Sequence, residues 1–265
     1  MTSVAADVAS GTTSNSSVHV VLSRFSAAAK LLDNETALLL QLGHKAHVVS
    51  AGSTSCDIGC APFFILSGWL CRSRINEEGE RAILEFLLPG DLVWPSAPHC
   101  SGLELIVEVL ADSVIAPAAF IIDACKMQAT RFPGLNKGLE MYADLDRTYL
   151  LSQISRLIQM NAPVHLHALI VELHDRLKQV GLSVGSSFAC PLSQSVFADA
   201  TGLSKVHVNR SFGALTRAGL ITRTRSLMTV SSKATGICAF TTFEATEPPY
   251  DAERFCEAQM LRETA

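Results

Sequence analysis

PLSQSVFADATGLSKVHVNRSFGALTRAGLI, residues 191–221, reads as a short helix, a glycine turn and a second helix whose polar edge faces outward. Ala198, Gly202 and Val208 fall at the spacing of a helix-turn-helix. A small Ala198 lets the second helix cross close to the first. Gly202 takes a turn conformation that a Cβ would penalise, and Val208 anchors the second helix on the core. Ser204 is placed to cap that helix by accepting a hydrogen bond from a free N–H of its first turn. Val208, Phe212 and Leu215 then face inward. Lys205, Val206, His207, Asn209 and Arg210 are left on the outward, N-terminal side, where a recognition helix meets base edges and phosphates.

Charge follows the same division. The 265 residues carry a formal net charge of −4, yet residues 191–233 hold Lys205, Arg210, Arg217, Arg223, Arg225 and Lys233 against Asp199, a local +5. Such asymmetry is expected of one nucleic-acid-binding module joined to a neutral or acidic partner. The plainer reading, a solvated basic face, does not explain why the charges coincide with the helix-turn-helix.

The length suggests about two domains of the usual 100–200 residues, and 48% hydrophobic residues supply material for two cores. Apolar runs such as Val114–Ile122 are far short of the roughly 18 residues of a membrane span, and Pro117 interrupts that one. Residues 1–18 lack a basic region followed by an apolar one, and their Ser/Thr/Ala/Gly bias predicts a disordered leader. Eight scattered cysteines fit reduced thiols and a cytoplasmic setting better than a disulfide framework.

Upstream, the apolar residues of about 46–120 come in short runs, AHVVSAG, FFILSGWLCRSRI, RAILEFLLPGD and LELIVEVLADSVIAP. Gly68, Glu77-Glu78-Gly79 and Pro89-Gly90-Asp91 are expected to break them, the rhythm of an antiparallel sandwich or jelly roll. Ala27–Leu42 has a helical pattern ahead of it. From 136 to 160 no proline occurs, and Leu139, Tyr142, Leu145, Tyr149, Leu150, Ile154 and Leu157 recur at helical spacing. A helix that long between two domains commonly packs on its twin, so Leu139, Tyr142, Leu145, Tyr149 and Ile154 are expected at a homodimer interface. Pro163 opens a further helix with Leu166, Leu169, Ile170, Leu173 and Leu177 turned to a core.

Three stretches now carry a resemblance: ILSGWLCRSRINEEGERAILEFLLPGDLV (65–93), HLHALIVELHDRL (165–177) and the helix-turn-helix itself, with its VHVNR pentad at 206–210. Over about residues 27–232 the chain resembles the Crp/Fnr superfamily of bacterial transcriptional regulators. The resemblance implies an α+β fold: an N-terminal antiparallel β-roll of the cyclic-nucleotide-binding type, a long dimerisation helix and a C-terminal winged helix-turn-helix. The expected boundaries are a leader at 1–18, a sensor roll at 19–135, the dimer helix at 136–162, the DNA-binding domain at 163–233 and an acidic tail at 234–265. TRTRSLMTVSS (222–232) would form the wing, with Arg223 and Arg225 near backbone phosphates. Lys205, Val206 and Arg210 match base-reading positions, Ser204 and His207 match phosphate-touching ones, and Ser193, Gln194 and Asn209 join the DNA-facing set. Val206 departs from the Glu of the name-giving protein and cannot accept a hydrogen bond from cytosine, so the operator is expected to differ. Double-stranded DNA, a second copy of the chain and RNA polymerase are the implied partners.

Members that bind cyclic nucleotides follow the PGD turn with a Gly-Glu pair and an Arg-Ser or Arg-Thr phosphate clamp. Here no Lys or Arg occurs from Leu92 through Cys125, and a buried phosphate needs a cation or an array of N–H donors. Gly102 and Glu104 can imitate the ribose contact, and only a distant Arg72, Arg74 or Arg81 could rescue the clamp. No response to cyclic AMP is expected. For Cys56, Cys60, Cys71, Cys100 and Cys125 a cluster, a thiol switch and plain core packing all stay open, as does haem or zinc at His44, His47 and His99. No cofactor, metal site or catalytic residue is assigned, because no phosphate loop, G-x-S-x-G elbow or HExxH occurs. Glu77, Glu78, Glu80 and Glu85 read as a solvated hairpin. The segment after 234, net −4 with Pro248-Pro249, is expected to lie off the DNA surface. The reading is a dimeric, sequence-specific transcriptional regulator on a palindromic operator. The alternative is a protein-interaction module with a degenerate roll and no DNA role, and a gel shift separates the two.

Overall fold

The computed structural model describes residues 17–94 and 105–231. The leader expected at 1–18 (save Ser17 and Val18), Cys100, His99, Gly102, Glu104 and the segment from 234 lie outside them. The chain divides into two compact units, one ending at Arg147 and the other beginning at Thr148.

The first unit opens with two helices, α1 (His19–Ala28) and α2 (Asp33–Lys45), rather than one across Ala27–Leu42. Leu32 is extended between them, and its N–H donates to Glu35 Oε2 at 2.7 Å, which starts α2 afresh. The other oxygen of this fully buried carboxylate accepts from Leu135 N at 3.0 Å. That amide belongs to the first turn of the long helix described below. One acid thus meets the N-terminal amides, and the positive dipole ends, of two helices.

The roll is antiparallel, in the order β1 (His47–Val49), β5 (Ile106–Pro117), β2 (Phe63–Ile75), β3 (Arg81–Leu87), with β4 (Leu92–Val93) also pairing β2. Alternation splits β2 between two layers. Phe63 and Ile65 join Leu70, Leu87, Val93, Val107, Val109 and Ile115 inside the roll. Phe64 turns the other way, its ring 5.9 Å from Phe25 of α1 and 5.8 Å from Tyr142.

Gly68 does not end a strand, as its place in the sequence suggested. It sits at φ 97° within β2, where the register with β5 shifts on both sides. A Cβ there would collide with Ser113, whose Oγ accepts from Trp69 N at 3.1 Å and donates to Ala111 O at 2.6 Å. This is a bulge, with the close backbone approach that glycine permits. It bends one long strand instead of making two.

Glu85 is likewise not solvated. It is 5% exposed and paired with Arg72, while Arg81 holds Glu108 through both carboxylate oxygens at 2.7 and 2.8 Å. At the PGD turn Asp91 accepts from Leu88 N at 2.7 Å and pairs with buried Arg24 at 3.3 Å.

After α3 (Ala119–Met127), helix α4 runs from Pro133 to Gln159 across the division between the units. The expectation that Tyr142 and Tyr149 face a partner is corrected here. Tyr142 is 4% exposed in the aromatic cluster and donates to Gly90 O at 2.7 Å. Tyr149 is 7% exposed beneath the Arg176 guanidinium, which lies 4.0 Å from its ring centroid. Leu139 and Leu145 are half-buried and Ile154 is exposed. The apolar residues that α4 leaves open are Leu150, Leu151, Ile154, Leu157 and Ile158, one face at helical spacing.

In the second unit α5 (Ala162–Gln179) is the hub. Asn161 caps it by accepting from Val164 N at 3.2 Å, Pro163 fits its first turn, and Val164–Leu177 is buried almost throughout. Around it lie α6 (Gln194–Thr201), α7 (Lys205–Arg217) and a four-stranded antiparallel sheet in the order β6 (Ser183–Val184), β7 (Ser187–Ala189), β9 (Leu227–Val230), β8 (Ile221–Arg223). Arg156 of α4 pairs with Glu172, which also meets Arg176 at 3.5 Å. The β6–β7 hairpin has no counterpart in the sequence reading. Its strands are too short to show alternation.

Candidate nucleic-acid interface

The helix-turn-helix is assembled from caps. Ser193 starts α6 by accepting from Val196 N at 3.4 Å, and Gly202 ends it at φ 67°. Ser204 starts α7 by accepting from His207 N at 3.3 Å, and its Oγ also lies 3.2 Å from His207 Nδ1. Beneath, Val208, Phe212 and Leu215 are buried. Phe212 meets Phe197 edge to face at 5.3 Å, which locks α7 on α6. Ala198 is buried at the crossing.

The opposite side of α7 is open. Lys205, Val206, His207, Asn209 and Arg210 are all exposed, Val206 by 60%. Gln194 reaches across from α6 and donates to Asn209 Oδ1 at 3.2 Å, so these two expected DNA contacts are joined in one pair. The free N-terminal amides of α6 and α7 add partial positive charge that suits phosphate oxygens.

The two wing arginines differ. Arg225 is exposed. Arg223, expected near phosphates, instead lies with its guanidinium 4.9 Å from the Phe212 centroid and 5.8 Å from that of Phe197. Its Nη2 donates to Leu192 O at 2.6 Å. It is half-buried, a bolt between wing and helices. A groove of about 710 Å3 opens here, lined in part by Gln194, Thr216, Arg217, Thr224 and Arg225.

The thiols and histidines sort by burial. Cys71, Cys125 and Cys190 are buried; Cys56 and Cys60 are exposed. Burial first, and the Glu35 carboxylate second, push the Cys125 thiol up to about 11. Burial pushes Cys190 up as well. His165 and His167, in the first turns of α5, are held down to about 4, both by burial and His165 also by Arg156. Sequence reasoning missed Leu151 and Ile158, although LLSQISRLI (150–158) carries their helical spacing.

Residues 164–234 match the family model of the Crp-like helix-turn-helix domain. No curated protein matches the chain. Among solved structures, FixK2 from Bradyrhizobium japonicum is similar over 77% of this chain and 98% of its own, at 18% identity and a TM-score of 0.55. TTHB099 from Thermus thermophilus, described as a transcriptional regulator of the CRP family, is similar over 76% of this chain and 100% of its own, at 18% identity and a TM-score of 0.53. At these identities the likeness is one of fold: a β-roll followed by a winged helix-turn-helix. Among the described residues no helix is long and apolar enough to cross a membrane.

Proposed function

We propose that this chain, a Crp/Fnr-type protein by its fold and its Crp-like helix-turn-helix domain, is a sequence-specific DNA-binding transcriptional regulator. One observation carries the reading. Lys205, Val206, His207 and Arg210 stand exposed on a capped helix whose opposite face is buried. Such a helix, held rigidly by Phe197 and Phe212, suits the major groove. Arg210 is the best match for guanine, because its fork meets O6 and N7 together, and Val206 offers a methyl surface suited to thymine. Ser193, Gln194, Ser204 and Asn209 would orient the helix on the backbone, with Arg225 on the flanking phosphates.

The apolar face from Leu150 to Ile158 supports a homodimer built on α4. Two such protomers would read an approximate palindrome with half-site centres roughly 34 Å apart, and RNA polymerase would be the downstream partner. The sensing unit would be the roll, 19–135, and the reader 163–233. A response to cyclic AMP is not expected. Arg72 and Arg81, two cations able to rescue a phosphate site, are engaged by Glu85 and Glu108. Regulation, not catalysis, is the proposed role.

Gel shift of the purified full chain on genomic fragments, followed by footprinting, tests the reading. Arg210→Ala should cost about 1–3 kcal/mol on the selected site and relax preference at one base position. Equal binding of wild type and variant to selected and random duplexes would overturn the recognition assignment.

A further inference from the structure

The DNA-facing side of the second unit has an excess of cations. Lys205, Arg210 and Arg225 are exposed and form no ion pair among the described residues. Lys205 and Arg210 stand on the open face of α7, and Arg225 lines the groove beside the wing. The chain supplies a matching polyanion immediately downstream. Glu244, Glu247, Asp251, Glu253, Glu257 and Glu263 stand against Arg254 and Arg262, a net −4 beside the +5 of 191–233.

That segment leaves the unit at Ser231, whose N–H donates to Leu220 O at 2.8 Å beside the wing strands. Ten uncharged residues, 234–243, precede the first acid. Extended at about 3.3–3.6 Å per residue, the run from Ser231 to Glu244 reaches about 40 Å. A domain of this size has a radius of gyration of about 12 Å. The whole cationic face is within range.

We propose that, without DNA, residues 244–263 lie against the face formed by Lys205, Arg210 and Arg225, as an intramolecular polyanion that DNA must displace. The proposal rests on the reading of this face as the DNA-binding one. Tethering gives the segment an effective concentration of about millimolar, so a contact too weak to hold a free peptide is still populated. Carboxylates and phosphates compete for the same side chains. The inhibition is therefore ionic and is screened by salt. The expectation that the segment stays off the DNA surface becomes its counterpart: repelled by phosphate, it occupies that surface only when DNA is absent.

The test compares the full chain with a full-length variant bearing E244Q, E247Q, D251N, E253Q, E257Q and E263Q. Without DNA, in low salt, the backbone amide resonances of residues 205–210 and Arg225 should differ between the two proteins. They should converge at about 1 M salt, where the screening length is about 3 Å. On a random-sequence duplex at low salt the neutralised variant should bind severalfold more tightly, the advantage vanishing as salt rises. Superimposable amide resonances at low salt, or equal duplex affinity of two forms that both bind, would overturn the proposal. Resonances that differ while neither form binds any duplex would leave the contact standing and count against the DNA-binding reading instead.

Discussion

Arg223 and Arg225 stand two residues apart on the wing, yet their surroundings give them separate tasks. Arg223→Gln removes a cation stacked on Phe212 and a charged hydrogen bond to Leu192 O. It should lower the unfolding free energy by about 1–3 kcal/mol, read by chemical denaturation. Arg225→Gln touches nothing buried. It should leave denaturation unchanged and reduce the slope of log affinity against log salt by about 1. The cysteines divide by the same logic. At neutral pH Cys56 and Cys60 should alkylate readily in the native protein, and Cys125, its thiol near 11, should not. Fast native labelling of Cys125, detected by peptide mass analysis, would contradict its burial. Single residues were legible where their role is local: Ser204 accepts from an amide three positions on, and Gly202 needs only its own positive φ. Glu85, Arg223 and Tyr142 were not, because Arg72, Leu192 and Gly90 lie 13, 31 and 52 positions distant. No local pattern encodes those encounters.

At the scale of an element, α4 carries the clearest consequence. Its first half is fastened by Tyr142 and its second by Arg156 and Tyr149, each within its own unit. The face left over, Leu150, Leu151, Ile154, Leu157 and Ile158, is what a second copy would cover. Ile154→Asp with Leu157→Asp should convert the protein to a monomer in sedimentation equilibrium while leaving its circular dichroism spectrum unchanged, since both side chains are exposed in the protomer. An unchanged dimer would assign the interface elsewhere. The helix itself was legible from an unbroken 3.6-residue rhythm. Which of its faces is free was not, because Tyr142 and Leu150 look alike to periodicity and differ only in what packs on them. The strand rhythm located the long strands of the roll, whereas Gly68 reads as punctuation unless the approach of Ser113 is seen.

Across the molecule, buried ionisable groups predict how stability follows acidity. His165 and His167 are neutral in the fold, at about 4 against an ordinary 6.5. The unfolded chain therefore binds more protons between these values. Stability is fully present above about pH 6.5 and is lost as pH falls toward 4, by up to about 1.4 kcal/mol per pH unit for each histidine. Urea midpoints measured across that range should fall with acid, and His165→Gln with His167→Gln should flatten the fall. A midpoint that holds constant from pH 7 to 4 in the wild type would show that the two rings are not desolvated. The chain's division into two compact units agrees with the two domains that its length suggests.

Glu35 ties residues a hundred positions apart, and this restricts how its neighbourhood can change. Each of its two oxygens receives one amide, Leu32 and Leu135. Glutamine would offer a single oxygen and turn an N–H toward an N–H, and aspartate is one methylene too short to span both. Gly134 is drawn into the same constraint, since a side chain there would begin 2.7 Å from the carboxylate. Two distant codons thus share one fate: drift at either is tolerated only if the clasp joining the second and fourth helices is rebuilt from scratch.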